Sequence, residues 1–161
     1  PTANELASTS ANGTPGIVGV MVGARYVDNN GQLLFKQFLP ANATTSGFTE
    51  IKILVNDDPR QLYKIQGNAA LGTFNSGTDG SGFAGAVGKN CSLDFSTSGS
   101  TSTGNSGVSL KIDTNGGTLA ATETLAMRVI DVVEGTETDN FPEFIVKFNV
   151  GVHAYDNSLG V

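Results

Sequence analysis

A chain of 161 residues is long enough for one domain with a real core and too short for two generous ones. Its formal net charge of −6, with nine basic residues scattered singly, argues against a nucleic-acid partner, because sequence-independent affinity for phosphate comes from clustered Lys and Arg. A single cysteine, Cys91, excludes an intrachain disulfide, and no apolar run approaches the roughly 18 residues a membrane-spanning helix needs. The 21 glycines, the many Ser, Thr and Asn and the absence of Trp point to short strands joined by many turns.

Residues 1–16, PTANELASTSANGTPG, are small, polar and aperiodic and read as a flexible N-terminal arm. With so little apolar surface the arm cannot offset the entropy of its own ordering, so it is expected to be disordered or laid on a neighbouring molecule. It lacks the basic and apolar regions of a signal peptide, and Pro1 at its start fits removal of an initiator methionine. Residues 17–161 then read as a single β-domain.

IVGVMVGAR predicts a first strand with Val18, Val20, Val22 and Ala24 on one face and Gly19 and Gly23 on the other, where small residues admit a second backbone. VDNNGQ, with its Asn-Gly pair, is the strongest hairpin signal in the chain, and QLLFKQFLP is the return strand, stopped by Pro40. FTEIKILVN alternates Ile51, Ile53 and Val55 with Glu50, Lys52 and Leu54, the pattern of a half-buried strand. NDDP breaks it, and RQLYKIQ gives a short strand with Tyr63 and Ile65 on one side.

From Gly67 to Gly88 glycine dominates and a long loop is expected, with a turn of helix around Asn68 to Leu71. CSLDF is a short strand, with Cys91 a small buried hydrophobe at its start. STSGSTSTGNSG is a low-complexity surface segment, VSLKID turns Val108, Leu110 and Ile112 inward, and TNGG is a turn.

LAMRVIDVV and EFIVKFNVGVH form a long hairpin-like pair around the turn EGTETDNFP, against which the earlier strands can assemble. In the second of the pair Phe144, Val146, Phe148, Val150 and Val152 share one side, with Lys147, Asn149 and His153 on the other. In the first, Arg128 and Asp131 fall on opposite faces. The fold class that follows is all-β: an antiparallel β-sandwich or barrel of about eight short strands with long Gly/Ser/Thr-rich loops.

The residues supply no pairing of nucleophile and base, and no catalytic, cofactor-binding or metal site is expected. His153 stands without a second histidine and reads as a surface or hydrogen-bonded residue rather than a ligand. Asp57 and Asp58, and separately Glu134, Glu137, Asp139 and Glu143, are the only acidic groups to weigh as calcium ligands, and neither set has the alternating spacing of a calcium loop. The preferred reading is a turn before Pro59 in which the Asp57 side chain accepts backbone N–H groups, and a solvated acidic loop for the second set.

The succession GIVGVMVGARYVDNNGQLLFKQFLPA, ILVNDDPRQLYKIQG, VGKNCSLDF, STSTGNSGVSLKID and LAMRVIDVVEGTETDNFPEFIVKFNVGVHAY resembles the capsid decoration, or cement, proteins of tailed bacteriophages. Its most specific parts are the turn Asp57 to Pro59, the pair Ser106 and Gly107, and the terminal stretch from Arg128 to His153. The resemblance implies a non-enzymatic virion protein on the outer surface of the head. It would be made in the host cytoplasm, with the phage major capsid protein as partner, and it would self-associate as a homotrimer. The arm of residues 1–16, leading into the strand from Ile17 to Ala24, offers a means of reaching a neighbouring subunit. The competing class is a β-sandwich binding module, carbohydrate-binding, adhesin or pilin-like, which asks for aromatic platforms where the chain offers only Tyr26, Tyr63 and Tyr155.

Chelation is expected to leave the melting temperature unchanged. A fall of more than about 5 °C, roughly 1 kcal/mol for a domain of this kind, would show that the acidic loops hold an ion.

Overall fold

The computed structural model describes residues 17–71, 85–100, 102–112, 119–121 and 123–156. The arm of residues 1–16, the glycine-rich stretch 72–84 and the TNGG turn lie outside the described residues. Among those described the protein is all-β, with eight strands and no α-helix: β1 (Val20–Val27), β2 (Leu33–Lys36), β3 (Thr49–Asn56), β4 (Tyr63–Gln66), β5 (Asn90–Asp94), β6 (Ser109–Lys111), β7 (Met127–Val132) and β8 (Glu143–Phe148). They form two antiparallel sheets, β2-β1-β3 and β4-β8-β7-β5-β6.

The terminal pair β7 and β8 lies at the centre of the five-stranded sheet, as its apolar alternation predicts, but only β4, β5 and β6 assemble on it. Phe144, Val146 and Phe148 of β8 point into the core with Met127, Val129 and Val132 of β7, Cys91 and Leu93 of β5 and Leu110 of β6. Burying a phenylalanine as completely as Phe144 contributes about 1.5–3 kcal/mol. The other side of β5 is also covered: Asn90 pairs with Ala120 and its Oδ1 accepts a hydrogen bond from Arg128 Nε at 3.0 Å.

Three departures from strict alternation have physical causes. Ile130 is an extra residue in β7, a bulge between the pairs Val129–Val146 and Asp131–Ile145. The slip of one residue puts Arg128 and Asp131 on the same outer face rather than on opposite ones. In β1 the bulge falls at Val22, between Met21–Val55 and Gly23–Leu54, so Ala24 turns inward while Val20 and Val22 remain exposed. Strand β8 ends at Phe148; the turn that follows, with Val152 N–H bonded to Asn149 O, buries Asn149, Val152 and His153 and leaves Val150 61% exposed. Period-two alternation therefore stops with the strand at Phe148, and Asn149 and His153, which that period would turn to solvent with Lys147, are interior.

The five-stranded sheet curls until its two end strands meet. Gly67, after β4, makes a parallel bridge to Leu110 in β6, and its N–H donates to Pro142 O at 2.8 Å. No turn of helix forms from Asn68 to Leu71, because Asn68 sits in a bend at the seam with its hydrogen bonds spent on β6 and β5. Its N–H donates to Leu110 O at 2.9 Å, its Oδ1 accepts from Ile112 N at 2.9 Å, and its Nδ2 donates to Asp94 Oδ2 at 2.9 Å. Gly67 has no room for a side chain: a Cβ there would stand 2.6 Å from Ile112 Cδ1 and 2.9 Å from Phe144 Cε2.

The three-stranded sheet contributes none of its strand residues to that core. Its hairpin β1–β2 turns through Asp28, whose Oδ1 accepts from the N–H groups of Asn30 and Gln32, with Gly31 in the left-handed region at φ 76°. Its inner face holds Ala24 and Tyr26, and the loop 41–48 folds over it, stacking Phe48 on Tyr26 at 4.9 Å. The two sheets are tied by Tyr63 Oη donating to Asn56 O at 3.4 Å, and Ile17, ahead of β1, is bonded to Val152 and Ala154.

Gly67→Ala is expected to cost about 1–3 kcal/mol in denaturant unfolding, the usual penalty for forcing atoms into a filled site. The Asp94 carboxyl is held below its ordinary range chiefly by the Ser96 backbone N–H, then by the Ser96 side chain, with Asn68 and Lys111 adding to it against burial. A depressed folded-state value means that this stabilisation is present above the unfolded value and lost as pH falls through the folded one. Asp94→Asn should thus be less stable than the parent at neutral pH, and the difference should close in acid, below the normal carboxylate range, when melting is followed against pH.

Candidate interaction surface

The three-stranded sheet carries several of the exposed large apolar side chains among the described residues. Register places its side chains in rungs: Phe35, Arg25 and Lys52 lie side by side across β2, β1 and β3, flanked by Leu33, Val27 and Thr49 on one side and by Gly23 and Leu54 on the other. Phe35 is 67% exposed, Val22 57%, Leu54 50% and Leu33 47%. A large apolar side chain standing this far into water is ordinary when single; four on one small sheet form a patch of the kind found where proteins meet.

The same strands carry Arg25, Lys36 and Lys52 against one carboxylate, Glu50, so this part of an acidic chain is cationic. Glu50 sits at the second irregularity in the β1–β3 ladder with φ 49°, a left-handed backbone that costs a non-glycine residue about 1–2 kcal/mol. That bend brings its carboxylate to Arg25 Nη2 at 3.4 Å. Lys36 and Lys52 enter neither of the two ion pairs found among the described residues, the other being Lys64–Glu143 at 2.9 Å.

The residues weighed for chemistry are placed apart from one another, and no group of three or more His, Cys, Asp or Glu side chains among the described residues is arranged to hold a metal. In the turn before β4 it is Asp58, not Asp57, that accepts a backbone N–H, from Arg60 at 2.8 Å, while Asn56 Oδ1 accepts from Asp58 N. An Asx turn reaches two residues ahead, and only Asp58 has Arg60 at that distance. Of the second acidic set, Glu143 is drawn off into its ion pair with Lys64, and Glu134 and Asp139 are exposed in the turn after β7.

Cys91 is fully buried, as expected for a small core residue, and its Sγ donates to Lys111 O at 2.7 Å. His153 is an interior residue: its Nδ1 accepts from Tyr155 N at 3.2 Å, its Nε2 meets no hydrogen-bond partner among the described residues, and its ring packs between Phe148 and Tyr155. The three tyrosines make no common platform. Tyr26 is under Phe48, Tyr63 meets the Phe148 edge at 5.6 Å, and Tyr155 is exposed beside His153. Burial first, then the carboxylates of Asp58 and Asp57, push the Tyr63 phenol above its ordinary value, so it remains a donor to the Asn56 carbonyl between the sheets.

Comparison with protein-family models, with curated proteins and with solved structures finds no match.

Phe35 is the residue that sequence reasoning missed. QLLFKQF reads as a return strand, and nothing local to it signals that, among the described residues, its sheet has three strands and leaves one face uncovered. The surplus of Lys and Arg over this segment, in a chain of net charge −6, was the available signal.

Proposed function

We propose that this protein is a capsid decoration, or cement, protein: a structural virion protein that binds the outer surface of a phage head and stabilises it, with the major capsid protein as partner and a homotrimer as its working form. The observation that carries this reading is the three-stranded sheet, which adds nothing to the main core yet holds Leu33, Phe35 and Leu54 out in water. A sheet that does not serve its own core has a use in contacts with other molecules. The sequence resemblance across the strands from Ile17 onward supports the same reading and supplies the partner.

A carbohydrate-binding, adhesin or pilin-like module has less in its favour, since Tyr26 and Tyr63 are turned to interior contacts and Tyr155 alone of the tyrosines faces water. Purified protein added to heads that lack it is expected to sediment with them and to raise the temperature at which they release their DNA. Heads that neither bind it nor gain heat resistance would sink the proposal.

A further inference from the structure

The single histidine of the chain, His153, is buried to 1% exposure at the joint where Ile17 meets the turn after β8. Its Nδ1 accepts the Tyr155 N–H at 3.2 Å, so the neutral ring carries its proton on Nε2, which faces no acceptor among the described residues. Phe148 and Tyr155 pack against the ring, their centroids 5.6 and 5.5 Å from its own. The backbone on either side of His153 is what holds Ile17: Ile17 N–H donates to Val152 O at 3.3 Å, and Ala154 N–H donates to Ile17 O at 2.8 Å. Ring and tie belong to one turn, and neither moves far without the other.

A second proton has no place on this ring while the turn is closed. It would go on Nδ1, where the Tyr155 N–H already points, and replace a hydrogen bond by two opposed donors. The ionisable groups on the surrounding elements are Tyr155 and Asp156 on the turn itself, Lys147 on β8, Tyr63 on β4 against the far side of Phe148, and Glu123 on the loop bonded to Asn149. Asp156 and Glu123 are exposed, and none of these groups forms an ion pair with the ring. A buried charge without a partner is costly, whereas a ring that swings out into water takes up a proton freely. We infer that His153 is an acid-sensitive latch: protonation opens the turn 149–156, moves the ring into water and releases Ile17 from Val152 and Ala154, which removes one of the ties between the two sheets. The closed turn accommodates only the neutral ring and the open turn either form, so the tie is intact at higher pH and is lost as pH falls. Histidine ordinarily changes charge between about pH 5 and pH 8, so the latch responds above the range in which carboxylates such as Asp94 titrate. It works in the isolated protein, whatever that protein binds.

Amide hydrogen exchange of the full chain, corrected for the intrinsic pH dependence of exchange, reads the latch directly. Between about pH 7.5 and about pH 5.5, protection at the Ile17 and Ala154 N–H groups is expected to fall about tenfold or more, while Val129 and Val146 in β7 and β8 keep theirs. His153→Phe leaves an aromatic ring in the same space and cannot take a proton, so its protection at Ile17 and Ala154 should stay constant over that range. If His153→Phe folds poorly, His153→Gln takes its place. Parent protection at Ile17 and Ala154 that does not change with pH overturns the latch, and so does a variant in which it falls as in the parent. Loss of protection in β7 and β8 in step with the turn overturns it as well, because acid would then be unfolding the whole domain. None of these outcomes bears on whether the protein binds heads.

Discussion

The seam at Asn68 is the constraint on which the larger half of the molecule depends. A five-stranded sheet left open would present β4 and β6 as edges and expose the core to solvent along both. Gly67 lets the chain pass close over Ile112 and Phe144, and Asn68 then joins the backbone of β6 to the end of β5 through Leu110, Ile112 and Asp94. One amide side chain satisfies the Ile112 N–H and orients the Asp94 carboxylate. An orphaned backbone donor at that position would cost about 1–3 kcal/mol. The apolar interior of Phe144, Val146, Val129 and Leu110 is enclosed because these few polar contacts hold the ends together.

The three-stranded sheet is built on the opposite principle. Among the described residues it has no partner sheet across its outer face, and loop 41–48 lies over its inner face, with Phe48 laid flat on Tyr26 at an interplanar angle of 5°. Its own buried set, Ala24, Tyr26 and Ala43, is small. A sheet of this size is marginal by itself, and its attachments through Tyr63 and Ile17 place it beside the curled sheet without merging the two cores.

Much of this was legible in the sequence, and the illegible parts share a cause. Strand identity follows from local alternation, so β3, β4, β6 and the terminal pair lie where Ile51 to Val55, Tyr63 to Ile65, Val108 to Ile112 and Phe144 to Phe148 put them. Bulges do not announce themselves in apolar runs: Val22 and Ile130 look like their neighbours, yet each reverses every side chain beyond it. Asn68 reads as a turn former, and its role depends on residues 26 to 44 positions away. The interaction surface was the least legible, because exposure of Phe35 is decided by what does not pack against its sheet. His153 was misplaced for a related reason, since the turn after Phe148 and not the strand period sets which way it faces.

The pairing of Ile17 with the segment 152–154 has a mechanical meaning. Ile17 N–H donates to Val152 O at 3.3 Å and Ile17 O accepts from Ala154 N at 2.8 Å, so two stretches near the opposite ends of the described chain run parallel and side by side. A pull on the segment before Ile17 and on the segment after Ala154 loads both bonds together, in shear, before tension reaches the strands behind them. Opening one at a time, as in a zip, is not available to that geometry. Tethers attached beyond these two points would leave from opposite ends of the clamp, and the first resistance to stretching them would come from it rather than from the apolar interior.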